Sequence, residues 1–198
     1  MKLYYSPGAC SLSPLIALHE AGIKVELIKV DLRSKAMANG GNYLDINPNG
    51  FVPALQLDSG EILTEGPAIV QYIADLAPNS HIAPPNGTLD RVHLQEALNF
   101  VSSEVHKGFS PLFHPALPAE WKAIVLDKLS QRFDYLAKRL EKSEWLVGKQ
   151  FTVADGYLFT VLGWTVPCGI DLSRWPALVA YRARIAERPK VKEAIAAQ

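Results

Sequence analysis

The change of pattern along the chain constrains the fold most. Residues 1–78 alternate between strand and helix patterns, whereas residues 88 onward read as helix almost throughout. Between them lies Ala77-Pro78-Asn79-Ser80-His81-Ile82-Ala83-Pro84-Pro85-Asn86-Gly87, rich in the residues that punctuate structure. The 198 residues therefore divide into a first domain over 1–78, a linker over 79–87 and an all-helical domain over 88–198.

In the first domain the pattern predicts a strand over Lys2 to Tyr5, a helix over Ser11 to Ala21 closed by Gly22, and a strand over Val25 to Val30. After a long loop, Ala54 to Leu57 and Glu61 to Leu63 flank Asp58-Ser59-Gly60, the turn chemistry of a short hairpin. A helix from Gly66 to Ala77 ends at Pro78. The order βαβ then ββα, with a cysteine at the first helix start, is the layout of a thioredoxin-like domain. On that fold Val52-Pro53 is expected to be cis, with the Val52 backbone open to an extended peptide. In the helical domain Leu94, Leu98, Val101 and Val105 form one core stripe, and Leu129, Phe133, Leu136 and Leu140 another. Asn99, Ser103, His106 and Lys107 form a polar stripe beside the first. Taken alone, that stripe reads as a solvated surface, yet asparagine, serine and histidine are not the residues that best support an exposed helix.

Cys10 carries the strongest chemical signal. In Tyr5-Ser6-Pro7-Gly8-Ala9-Cys10-Ser11-Leu12-Ser13-Pro14 the strand passes through a Pro-Gly turn into the helix, which sets a thiol at the helix start. Unpaired N–H groups and the helix dipole stabilise an anion there, and cysteines so placed have pKa values lowered from about 8.5 to roughly 3.5–7.5. The expectation is a thiolate near neutral pH. Cys10-Ser11-Leu12-Ser13 is a C-x-x-S arrangement, able to form a mixed disulfide but lacking a local second cysteine to resolve it. Cys168 reads as a packed or surface thiol.

Other classes fall away on composition and motif. Lysine plus arginine total 20 and aspartate plus glutamate total 20, with no basic block, so nucleic acid is not an expected partner. Two cysteines make no disulfide framework and point to a reducing, cytoplasmic setting. Pro7, Gly8 and Pro14 interrupt any signal-peptide core, and no apolar run approaches the roughly 20 residues of a membrane span. The histidines show no metal-ligand spacing, so no metal is expected, and nucleotide-binding glycine motifs and G-x-S-x-G are absent. Thr152-Val153-Ala154-Asp155 has the form of a capping box, which assigns Asp155 to structure.

Met1 to Ser13, Asn47-Pro48-Asn49-Gly50-Phe51-Val52-Pro53, Leu63-Thr64-Glu65-Gly66 and Ser103-Glu104-Val105-His106-Lys107 together resemble bacterial beta-class glutathione transferases over nearly the whole chain. The resemblance implies an α+β thioredoxin-like domain that binds glutathione, an all-α domain supplying much of a second-substrate pocket, and a homodimer serving detoxification. It implies that Glu65 and the Gly66 N–H hold the γ-glutamyl end, Val52 pairs with the cysteinyl unit and Lys35 meets the glycine carboxylate. Lys35 alone would read as a solvated loop lysine. Cys10 is implied to face the glutathione sulfur, and His106 and Lys107, with Asn99 and Ser103, to border the cleft. His106 is the implied proton-transfer group, worth roughly 10²–10⁴-fold when well placed. Tyr5 and Ser11 are rival thiol activators, and of Tyr4 and Tyr5 one is expected to face the core and the other the site. The chain departs from the family at Gly156, where alanine is usual and glycine costs about 1 kcal/mol in a helix interior. The implied activity is conjugation of glutathione to hydrophobic electrophiles. The alternatives are a glutathione-dependent reductase acting on mixed disulfides or halogenated aromatics through Cys10, and a non-enzymatic binding or regulatory protein on the same fold.

Overall fold

Strand β1 (Lys2–Tyr5) buries Leu3, Tyr4 and Tyr5 in succession, the mark of a strand in the middle of a sheet. It lies between β2 (Glu26–Lys29) and β3 (Ala54–Gln56) in a four-stranded sheet of order β2-β1-β3-β4, with β4 (Ile62–Leu63) at the edge. The β1–β2 pair is parallel, and the crossover between them carries α1 (Leu12–Ala21). The β1–β3 and β3–β4 pairs are antiparallel. Gly22 ends α1 in the left-handed region at φ 68°, returning its N–H to the last turn. Helix α2 (Gly66–Leu76) opens with Pro67 in its first turn and buries Ile69, Val70, Ile73 and Ala74. These are the expected elements with ends shifted by a residue or two, and the Val52–Pro53 bond is cis.

The computed structural model describes residues 1–198 and divides them into two compact units, Met1–Ala83 with Arg188–Gln198, and Pro84–Glu187. In the second unit α3 (Leu89–Phe100), capped by Thr88, runs on into a π-helical turn, Val101–His106. A short α4 (Lys107–Phe109) and a 3-10 turn (Ser110–Phe113) follow, then α5 (Ala119–Leu140), α6 (Val153–Leu162) and α7 (Pro176–Ala186). Both predicted leucine-rich stripes are buried. Helix α6 is buried on every side, as an all-round apolar helix must be. Asp155 in its first turn is 0 % exposed and accepts hydrogen bonds from Thr152 N and Oγ1, Leu146 N and the Tyr181 hydroxyl. Its structural role stands. Gly156 is buried beside it, its carbonyl accepting from the Thr160 hydroxyl.

The partition 88–198 needs one amendment. Helix α8 (Pro189–Ala196) belongs to the first unit, packed along α1 through its buried Val191 and Ala194. Helix α1 buries an unbroken run from Ser13 to Leu18, too broad a face for the sheet and α2 alone to cover. Arg188 grips Glu20 through two bonds of 2.7 and 2.8 Å, and the Gly8 N–H donates to Gln198 Oε1 at 3.3 Å. Helical periodicity says that this segment is a helix but not which core it completes. No helix is long and apolar enough to cross a membrane.

Candidate functional site

In the first unit the residues singled out from the sequence converge on the turn before β3. The Cys10 thiol donates to the Val52 carbonyl at 3.1 Å. Lys35 Nζ donates to the Gly50 carbonyl at 2.9 Å, two residues upstream. Gly50 sits at φ 67°, and a Cβ there would come within 3.2 Å of the Lys35 chain, so both backbone and packing call for glycine. Glu65, exposed at the N-terminus of α2, holds φ 64° and ψ 110°, a sparsely populated conformation for a residue with a side chain. Its carbonyl accepts from Ala68 and Ile69, opening the helix, and its carboxylate acts electrostatically on Cys10. Gly66 follows as the first helical residue.

The Cys10 thiol itself departs from expectation. Burial pushes it up to about 12, and the negative charge of Glu65 adds to the rise, against the backbone N–H groups of Cys10 and Ser11, which pull it down. The reason lies in the turns that lead into α1. Ala9 N bonds to Ser6 O, Leu12 N to Ala9 O and Ser13 N to Cys10 O, so the helix begins at Leu12 and its early donors are already engaged. This environment favours the protonated thiol at neutral pH. Of the two rivals, Ser11 is committed elsewhere. The fully buried Ser11 hydroxyl exchanges hydrogen bonds with the Ser6 backbone. Tyr4 and Tyr5 are both buried and, as neighbours on β1, point to opposite faces of the sheet; Tyr4 packs with Ile28, Val30 and Tyr43, and its hydroxyl donates to Gln56.

In the second unit the π turn breaks the predicted polar stripe. Its Lys107 N–H bonds back to Ser102 O, an i→i+5 link that inserts an extra residue into the turn. Asn99 and Ser103 remain together and exposed, the Ser103 hydroxyl donating to Asn99 O. Lys107 is exposed, but His106 turns away, half-buried, against Tyr157 and Trp164. Its Nδ1 lies 2.5 Å from the Tyr157 hydroxyl. Burial, then the charge of Lys107, hold the imidazole down to about 4, so it is neutral at pH 7. Trp164 also packs edge-on against Phe109 and the half-exposed Phe113, which joins His106 to an aromatic wall.

Three residues were not legible as site residues. The Tyr43 hydroxyl and Asn47 Nδ2 both donate to the Phe51 carbonyl at 2.8 Å, pinning the backbone just before Val52. Asn47 lay within a segment that carried the family resemblance but was given no role, and nothing in the spacing marked Tyr43. Tyr157, inside an apolar run, looked like core. No cluster of His, Cys, Asp or Glu side chains is arranged to hold a metal ion.

Residues 8–76 match the family model described as the glutathione S-transferase N-terminal domain, and residues 100–189 that of the C-terminal domain. Glutathione S-transferase GstA of Escherichia coli O157:H7 is 44 % identical over 198 residues, spanning 100 % of this chain and 98 % of that one. A sphingomonad glutathione S-transferase solved in complex with glutathione is 49 % identical with a TM-score of 0.97, over 100 % of this chain and 98 % of that one. The bacterial beta-class enzyme of Sphingomonas chungbukensis is 49 % identical with a TM-score of 0.96 over the same shares. With both domain models matched in order and full-length likeness to bacterial enzymes, the chain belongs to the glutathione S-transferase family, in its bacterial beta class.

Proposed function

We propose that the protein binds reduced glutathione on its first unit and catalyses attack of the glutathione sulfur on hydrophobic electrophiles. The observation that carries this is the convergence around Cys10 and Val52 of groups matched to each part of that tripeptide. Glu65 offers a carboxylate to its ammonium, and Gly66 a helix-start N–H to the neighbouring carboxylate. Val52 offers backbone to the peptide-like centre. An ammonium has three donors, so Lys35 can keep the Gly50 carbonyl and still hold the glycine carboxylate. The solved sphingomonad relative holds glutathione, which supports the same ligand here.

His106 and Lys107, with Asn99 and Ser103, enter this proposal as groups of the second unit that handle charge on the reactants. Conjugation is favoured over the reductase reading by the Cys10 S–H already acting as a donor, to the Val52 carbonyl at 3.1 Å, with burial holding the thiol up. A thiol held at about 12 is protonated at neutral pH and a poor covalent nucleophile, whereas its S–H can donate to a glutathione thiolate. The reading includes a cytoplasmic homodimer, which light scattering checks as twice the chain mass. The central test measures glutathione binding by calorimetry and turnover of a chlorodinitrobenzene. Binding with turnover is expected, and Lys35→Ala and Glu65→Gln should each weaken binding. Binding without turnover of any electrophile would return the protein to the non-enzymatic class, and absence of binding would overturn the proposal.

A further inference from the structure

The His106 imidazole has one nitrogen in the hands of its own unit. Tyr157, 3 % exposed on the wholly buried α6, sets its hydroxyl 2.5 Å from Nδ1. The indole of Trp164 packs edge-on at 4.8 Å and the Tyr157 ring at 5.8 Å, which holds the imidazole plane in place. A neutral imidazole carries one N–H and one lone pair, and the partner of one nitrogen decides what the other presents. Either the phenol donates to Nδ1 and leaves an N–H on Nε2, or Nδ1–H donates to the phenol oxygen and leaves Nε2 bare. The chemistry favours the first, because a phenol O–H is a strong donor and an imidazole lone pair is a better acceptor than a phenol oxygen.

We infer that Tyr157 is a positioning residue that fixes His106 in its Nε2–H tautomer, so that, taking His106 as part of the transfer reaction proposed above, the imidazole gives an N–H to an anionic reactant instead of accepting a proton. A fixed donor suits a reaction whose nucleophile is a sulfur anion and whose electrophile gains negative charge, since a pre-oriented N–H stabilises either without moving. The suppressed imidazolium agrees, because a group held down to about 4 is a weak base at neutral pH. Lys107 is the charged group acting on the ring, and it also favours the neutral form.

Histidine imidazoles labelled with heavy nitrogen report the tautomer directly, with His106 assigned as the signal missing from His106→Gln. The Nε2–H tautomer is expected in the unaltered protein and a mixture in Tyr157→Phe; an Nδ1–H tautomer in the unaltered protein overturns the inference. Turnover of a chlorodinitrobenzene with glutathione gives the second readout. His106→Gln keeps an amide N–H near the Nε2 position and has no basic nitrogen. It should retain activity to within about tenfold while His106→Ala loses about 10²-fold. Equal losses in the two would remove the donor role. Tyr157→Phe should lower kcat with the KM for glutathione unchanged, and should have no further effect in a His106→Gln background. Additive losses would mean that Tyr157 acts through packing alone, and would overturn the inference. If the unaltered protein binds glutathione but turns nothing over, the transferase reading fails, and the tautomer spectrum still decides what Tyr157 does.

Discussion

Glu65 and Cys10 both hold unfavourable local states beside the proposed ligand. The left-handed φ of Glu65 costs roughly 1–3 kcal/mol, a cost that glycine would largely escape. Glu65→Gly should therefore raise stability by about 1 kcal/mol, seen as a higher melting midpoint, while glutathione affinity falls. Glu65→Gln keeps the strain and removes the charge, so it should lose affinity without gaining stability. For Cys10 the sign is set by its raised value. Folded, the thiol keeps its proton to about 12, whereas an unfolded thiol loses it near about 8.5. Between those values the native state binds the extra proton, so this contribution to stability is whole below about pH 8.5 and is lost as pH climbs toward 12. Alkaline denaturation followed by circular dichroism should show a shallower loss in Cys10→Ala. Alkylation of Cys10 without glutathione should keep accelerating above pH 9 instead of levelling off. A plateau near pH 8 would contradict the raised value of this thiol.

Among the elements, the strands, the hairpin and the capping box were legible because each rests on a local rule. Asp58-Ser59-Gly60 makes a turn wherever two strands flank it, and Thr152 with Asp155 caps whatever helix follows. The π turn at Val101–His106 was not legible, because the apolar stripe Leu94, Leu98, Val101, Val105 satisfies an α-helical period and is indeed buried. What the stripe cannot report is how the opposite face rotates, and there His106 parted from Asn99 and Ser103. Close packing also shapes this region, since a Cβ on Gly108 would meet the Leu129 side chain at 2.8 Å. Asp155 allows a quantitative forecast for α6. Asp155→Ala strands two backbone N–H groups and the Tyr181 hydroxyl in the protein interior, at about 1–3 kcal/mol each. The three losses sum to about 3–9 kcal/mol, and at about 2–4 °C per kcal/mol for a chain of this length the melting midpoint should fall by at least about 6 °C. A change under about 2 °C would mean that the site rehydrates.

At the scale of the whole molecule, the first unit is sewn from two separated stretches of chain, 1–83 and 188–198. Residues 1–83 alone leave the outer face of α1 bare and Glu20 without Arg188. That fragment should give a broad, non-cooperative melt. The same fragment joined through a flexible glycine-serine linker to residues 188–198 should melt cooperatively, and equal behaviour of the two would deny α8 its structural part. The arrangement also sets an order of events during synthesis. Residues 84–187 must be made before the strand of chain that covers α1 exists, so a nascent chain emerging from the ribosome carries the turn around Cys10 long before it can be locked down. Completion of this unit thus waits until residues 188–198 have been made, and the growing polypeptide passes through a period in which an apolar helix face is open to chaperones.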